Sequence, residues 1–156
     1  VLDHIGFSVS DLDQSITFYS LLLKREPVLR RFYPEQYVAR VVGYDKIMMD
    51  AAFFEIGSGE TILELLEYRV PPAAKIDMET YNVGNGHLCL TVDDLKEEFN
   101  RLRPHGVAFR SQEPVTIPIG PYTGGKACYL RDPDGISIEL LEAPPSGGPD
   151  FSGDKG

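Results

Sequence analysis

The sequence predicts an α+β fold built from two paired copies of one β-α-β-β-β module. Residues 4–12 read HIGFSVSDL and residues 87–95 read HLCLTVDDL, with histidine, valine, aspartate and leucine at the same places. Residues 62–67 read ILELLE and residues 137–142 read SIELLE. Because the two motifs recur in the same order along the chain, they indicate an internal duplication.

Each module opens with a strand that a helix follows. Residues 2–9 and 87–92 are rich in apolar and β-branched side chains, which is typical of strands. Ser10 or Asp11 can cap the first helix, and Asp93 or Asp94 the second. Apolar residues then recur at helical spacing, and residues 104–106 (PHG) form a stop signal for the second helix.

Strand-like segments complete each module. They span 27–32, 38–42, 51–56 and 61–68 in the first module, and 107–110, 113–119, 127–130 and 136–141 in the second. The predicted organisation is a first module over 1–69, a linker over 70–86, and a second module over 87–143. The tail, 144–156, contains Pro, Gly, Ser and Asp with little to bury, and we expect it to be disordered.

Composition narrows the function classes. The chain has 156 residues and a formal net charge of −9, which disfavours binding to nucleic acid because phosphate affinity needs clustered cations. No apolar run reaches the ~18 residues that a membrane-spanning helix needs. Two cysteines make no disulfide framework. We therefore expect a cytoplasmic protein that acts on a small molecule, without nucleic-acid or membrane partners.

Four side chains are candidate metal ligands. His4 and His87 begin equivalent strands, and Glu64 and Glu139 lie within equivalent aliphatic runs. Burying a carboxylate is costly unless it is paired or metal-bound, and imidazole with carboxylate suits Fe, Co, Ni, Zn or Mn. A single such His or Glu is more often structural, but recurrence in both modules favours a ligand set. Three residues beyond each glutamate, Glu67 and Glu142 are expected to face solvent.

Five segments make the family recognisable. They are DHIG at 3–6, SITFY at 15–19, LELL at 63–66, GHL at 86–88 and YLRDPDGISIE at 129–139. With them the chain resembles the vicinal oxygen chelate superfamily of glyoxalase I, methylmalonyl-CoA epimerase, extradiol dioxygenases and bleomycin-resistance proteins. The resemblance implies mixed sheets that curl into a cup around one divalent metal ion. It also implies a homodimer and a substrate with vicinal oxygens.

The resemblance also assigns roles. It implies metal ligation by His4, Glu64, His87 and Glu139, with Glu139 or Glu64 doubling as the catalytic base. Candidate substrate-binding residues are Ser8 and Tyr68, where glyoxalase I commonly has Arg and Asn, together with Cys89 and Tyr129. An additional catalytic Glu of the epimerase has only Asp45 or Asp50 as a substitute.

Three functions remain open, two of them enzymatic. A metal-dependent lyase or isomerase, glyoxalase-like or epimerase-like, moves a proton next to a carbonyl and uses all four ligands. An Fe(II) extradiol dioxygenase uses three ligands, which makes Glu64 surplus. A metal-free protein that binds an antibiotic or another small molecule needs no buried carboxylates.

Overall fold

In the computed structural model, which describes residues 1–152, the chain forms two compact units. The first is Val1–Ile76 and the second begins at Asp77. Each unit contains one open mixed sheet with helices, so the predicted α+β class is confirmed. Across the described part of the chain, no helix is long and apolar enough to cross a membrane.

The first unit has four strands and two helices. In chain order they are β1 (His4–Ser8), α1 (Leu12–Leu23), β2 (Leu29–Tyr33), α2 (Gln36–Val42), β3 (Met48–Ile56) and β4 (Thr61–Val70). The sheet has the order β1-β4-β3-β2. Strand β1 runs parallel to β4, whereas β2, β3 and β4 pair antiparallel. The parallel pair brings the two motifs of the first module side by side.

The second unit repeats this plan. Its elements are β5 (His87–Val92), α3 (Leu95–Leu102), a short 3-10 turn (Arg103–His105), β6 (Ala108–Phe109), β7 (Val115–Thr116), β8 (Lys126–Arg131) and β9 (Ser137–Glu142). The order is β5-β9-β8-β6, and β7 also pairs with β8. Strand β5 is parallel to β9, as β1 is to β4. Of the tail, residues 144–152 include a turn, with the backbone of Asp150 bonded to Pro121; residues 153–156 lie outside the described range.

The segment 38–42 is not a strand. It belongs to helix α2, so the strand predicted there is wrong. Its valines favour strands locally, but Val38 and Ala39 are buried against Ile47 and Met49 in one cluster. Gly43, at φ 79°, ends the helix in the left-handed conformation. Tertiary packing therefore overrides local propensity in this insertion between β2 and β3.

Glu67 and Glu142 are expected from the sequence to face solvent, but in the structure each carboxylate bonds to the start of a helix. Oε2 of Glu67 accepts the backbone N–H of Leu12 at 2.9 Å, and Oε2 of Glu142 accepts that of Leu95 at 2.8 Å. Each carboxylate thus satisfies an unpaired N–H at the start of a helix and faces the positive end of its dipole. The contact ties each helix to the strand that bears a candidate ligand.

Candidate metal and substrate site

The first unit brings His4 and Glu64 together. Strand β1 pairs with β4 so that Gly6 lies opposite Glu64, which puts the imidazole and the carboxylate on the same face of the sheet. Nε2 of His4 is 3.9 Å from Oε2 of Glu64. A Cβ added at Gly6 would lie 3.6 Å from that same oxygen, so the glycine leaves space beside the carboxylate.

Asp3 orients the imidazole of His4. Nδ1 of His4 lies 2.7 Å from Oδ1 of Asp3, and this hydrogen bond is the main cause of a raised His4 pKa, to which the charge of Glu64 also contributes. When the Nδ1–H group donates its hydrogen bond to Asp3, the lone pair of Nε2 is available on the side of Glu64. A carboxylate on the other ring nitrogen is the usual partner of a metal-binding histidine.

The second unit forms the equivalent pair. His87 on β5 and Glu139 on β9 place Nε2 and Oε2 3.1 Å apart. The Tyr129 hydroxyl, on the neighbouring strand β8, donates to Oε2 of Glu139 at 2.9 Å and lies 3.1 Å from Nε2 of His87. Tyr129 therefore bridges the two candidate ligands.

Two protonated groups hold the carboxylate of Glu139. Burial, followed by the hydrogen bond to Glu139, raises the pKa of Tyr129 to about 12. Burial and the nearby Glu139 carboxylate raise the pKa of the Cys89 thiol to about 11, and the thiol also hydrogen-bonds to Glu139. Both groups keep their protons at neutral pH and act as donors. In the first unit the position of Cys89 is occupied by Gly6.

The donor chemistry fits a divalent transition metal. Each unit supplies one imidazole nitrogen and one carboxylate oxygen, which suit Fe, Co, Ni, Zn or Mn. Ligands that bind one ion at ~2.0–2.2 Å lie roughly 3–4 Å from each other, and separations of 3.1 and 3.9 Å fall in this range. No group of three or more His, Cys, Asp or Glu able to hold a metal occurs within residues 1–152. Each unit by itself thus contributes two donors.

The predicted substrate-binding residues lie on the same sheet faces as these pairs. Ser8 is exposed on the Glu64 face of β1, at the end of the strand. Tyr68 lies on the same face of β4, and its pKa is raised mainly by burial and further by Tyr44 and Glu64. Cys89 and Tyr129 contact Glu139 directly.

Asp50 does not take the place of the additional catalytic glutamate considered above. It pairs in register with Glu67, whereas Phe53 pairs with Glu64. Asp50 therefore points to the opposite face of the sheet from Glu64. There its carboxylate forms an ion pair with Arg69 at 2.5 Å. Asp50 is a structural residue of the first unit.

A pocket of about 550 Å³ opens beside His87 in the second unit. Its lining consists of Thr80, His87, Arg110, Ser111, Val115, Ala127, Cys128, Tyr129 and Arg131. The volume is that of an ordinary small-molecule site. Nothing in the sequence singles out Arg110 or Thr80, because both lie outside the duplicated motifs and have no equivalent residue in the other module.

Comparison with known proteins supports a common ancestry. A lactoylglutathione lyase of Salmonella typhimurium is 32% identical over 149 residues, covering 92% of this chain and 93% of that protein. A 2-epi-5-epi-valiolone epimerase from an Actinomyces species is 28% identical over 144 residues, covering 90% and 78%. The crystal structure of a glyoxalase family protein from Bacillus cereus superposes with a TM-score of 0.76 at 25% identity, covering 92% and 93%.

The resemblance seen in the sequence is confirmed over nearly the whole chain. The sequence profile of the glyoxalase/bleomycin resistance protein/dioxygenase superfamily matches residues 1–140. The matched region includes both His–Glu pairs and all of the duplicated motifs except residues 141 and 142. This protein belongs to the glyoxalase/bleomycin resistance protein/dioxygenase superfamily.

Proposed function

We propose that the protein is a divalent-metal-dependent lyase or isomerase that moves a proton at a carbon next to a carbonyl. The observation that carries the proposal is the recurrence of one His–Glu pair in each unit, His4 with Glu64 and His87 with Glu139. A structural role for either pair alone does not explain why duplication preserved both. The lyase and epimerase names of the relatives support this reaction class.

In this proposal the two pairs bind one divalent ion. When bound, the ion supplies a Lewis acid for two vicinal oxygens of the substrate. We further propose that the protein acts in the cytoplasm, as expected from its composition. We also propose that it forms a homodimer, as the resemblance implies. The four ligands then come either from one chain or from two copies. Mixing a variant that lacks the His4–Glu64 pair with one that lacks the His87–Glu139 pair distinguishes these cases. Such a mixture regains activity only if the site is shared between two copies.

The two carboxylates have different surroundings, which suggests different roles in moving the proton. Tyr129 and Cys89 hold Glu139 in one orientation, whereas Gly6 leaves space beside Glu64. Glu64 is therefore the carboxylate with room to turn toward a substrate carbon and accept its proton. Glu139 keeps a fixed position and presents its second oxygen for proton exchange with the substrate.

The remaining face residues position the substrate. Ser8 and Tyr68 lie on the face of Glu64, and each presents a hydroxyl that can bind a polar substrate group. Tyr129 and Cys89 line the other pair and limit the space around Glu139. We propose a small-molecule substrate with oxygens on two neighbouring carbons. Lactoylglutathione, a 2-hydroxyacyl thioester that appears in the name of a relative, has this arrangement.

The test is proton exchange in heavy water. We expect the holoprotein to incorporate deuterium next to the carbonyl of methylglyoxal–glutathione adducts or of cyclic polyhydroxy ketones, measured by NMR. The double variant Glu64→Gln/Glu139→Gln should lose this exchange. The matched control Glu67→Gln/Glu142→Gln makes the same change three residues along the same strands and should retain it. Equal exchange in both double variants would contradict the proposal.

A dioxygenase is the second candidate, because the hydroxyl of Tyr129 lies within hydrogen-bond distance of both His87 and Glu139. It predicts oxygen consumption with a catechol by the iron-loaded protein. It also predicts that Glu64→Gln retains activity. Loss of activity in Glu64→Gln would favour the lyase or isomerase.

A further inference from the structure

We propose that the pocket of the second unit binds a carboxylate of the substrate through Arg110, and that Glu79 occupies this position in the free protein. The inference rests on the proposed function, since it names the substrate class of that site: a small molecule with an anionic end away from the reacting carbon. It stands on the arrangement of Arg110, Arg131 and Glu79 at the pocket.

The carboxylate of Glu79 accepts hydrogen bonds from the guanidinium groups of both Arg110 and Arg131. Glu79 lies 3.1 and 3.3 Å from the two terminal nitrogens of Arg110, and 3.2 Å from Nη2 of Arg131. The three side chains together carry a net positive charge. The bonds are also longer than the ~2.7–2.9 Å of a well-formed charge-assisted pair. The group therefore retains capacity for a second anion.

The two arginines differ in what holds them. Arg131 is nearly buried, and its Nη1 donates to the backbone oxygens of Met78 and Gly135 and to the Ser137 hydroxyl. These bonds fix Arg131 as a structural anchor for the segment before β5. The side chain of Arg110 is 53% exposed, and both of its bonds given above go to Glu79. Arg110 is thus the arginine free to exchange its partner.

Exchange of Glu79 for a ligand carboxylate costs little. An ion pair whose partners are partly exposed is weak, so a bound carboxylate with better geometry displaces Glu79 from Arg110 readily. The planar fork of Arg110 favours a carboxylate, which it binds through two parallel hydrogen bonds. Glu79 itself lies in a segment held independently, since Asp77 and Asn85 bond within it and Met78 is tied to Arg131.

The pocket connects this anion position to the candidate metal ligands. Arg110 and Thr80 line the same cavity as His87 and Tyr129. Val115 and Ala127 contribute apolar wall between polar groups, as in most small-molecule sites. A ligand whose carboxylate binds Arg110 therefore extends toward His87. The pocket then selects ligands by the distance between the carboxylate and the reacting carbon.

The experiment titrates glutarate into the 156-residue protein as purified, with its neutral isostere glutaramide as the comparison. NMR follows the side-chain N–H signal of Arg110 and the backbone signals of Thr80 and Ser111. We expect saturable binding of glutarate, weakened about tenfold or more in Arg110→Gln, because hydrogen bonds to charged groups are lost. We expect Glu79→Gln to tighten binding by up to about fivefold, because the internal competitor loses its charge.

Matched controls separate this effect from net charge. Glu113→Gln removes one negative charge from the exposed loop between Ser111 and Val115, and Arg103→Gln removes one positive charge from the turn after α3. Both should bind glutarate as the wild type does. Binding that is unchanged in Arg110→Gln, weaker in Glu79→Gln, or equal for glutaramide would overturn the proposal. The readout needs no catalysis, so a protein that exchanges substrate protons but ignores glutarate refutes only this inference.

Discussion

Replacing Glu142 by glutamine tests how each module ties its helix to its ligand-bearing strand. Oε2 of Glu142 accepts the N–H of Leu95 at 2.8 Å, and Oε1 forms an ion pair with Lys126 at 2.6 Å. The Lys126 bond and the Leu95 bond lower the pKa of Glu142. The variant keeps the shape of the side chain and removes its charge.

The expected loss of stability is the sum of two contributions. The charge at the start of α3 contributes about 0.3–1 kcal/mol through the helix dipole. The ion pair with Lys126, which is partly exposed, contributes up to about 1 kcal/mol. The free energy of unfolding should therefore fall by roughly 0.3–2 kcal/mol. Glu67→Gln is the matched variant, because Glu67 caps α1 in the same way, and only the helix-dipole contribution is predicted for it.

Urea unfolding followed by circular dichroism at several pH values measures both effects. Because the folded-state pKa of Glu142 is lowered, its contribution is present above the unfolded pKa and is lost as the pH falls through the folded value. The difference between wild type and Glu142→Gln should therefore be largest near neutral pH and shrink on acidification. An equal loss of stability at all pH values, or a larger loss in Glu67→Gln, would refute this reasoning.

Three further predictions concern the first unit. Asp3→Asn, which weakens the bond that orients His4, should reduce metal affinity by about 10- to 100-fold in calorimetric titration, and an unchanged affinity would argue against a ligand role for His4. Gly6→Cys, which copies the second unit, should restrain Glu64 and slow deuterium exchange about tenfold or more, whereas Gly6→Ala should have a smaller effect. Ile47→Ala should cost about 2–5 kcal/mol in urea unfolding, since Ile47 is 3% exposed under α2, and a cost below 1 kcal/mol would mean that α2 packs loosely.

The duplication made much of this protein predictable from sequence. Because the motif around His4 recurs at His87, and that around Glu64 recurs at Glu139, the comparison within one chain marked the strands and singled out these side chains. The structure pairs each histidine with its glutamate across parallel strands. The strand periodicity also indicated which neighbours share their face.

Other features depend on contacts that local sequence does not encode. Helix α2 buries Val38 in one cluster with Ile47, which lies outside the helix, and the propensity of the local sequence does not encode this packing. The capping role of Glu67 joins residues 55 positions apart, so the carboxylate resembles a solvent-facing strand residue until α1 is placed. Arg110 and Glu79 come from a loop and from the segment before β5, which lack any repeat partner, and only the structure shows their contact.

The metal content of the purified protein decides whether His4, Glu64, His87 and Glu139 bind an ion. Mass spectrometry on protein prepared without added metal or chelator, with reconstitution as a second step, compares the wild type with Glu64→Gln/Glu139→Gln and with the control Glu67→Gln/Glu142→Gln. We expect about one divalent ion per chain in the wild type and the control, and loss of this ion in Glu64→Gln/Glu139→Gln. A folded wild type that binds no metal after reconstitution, or a ligand variant that keeps its ion, would contradict the assignment of these four side chains.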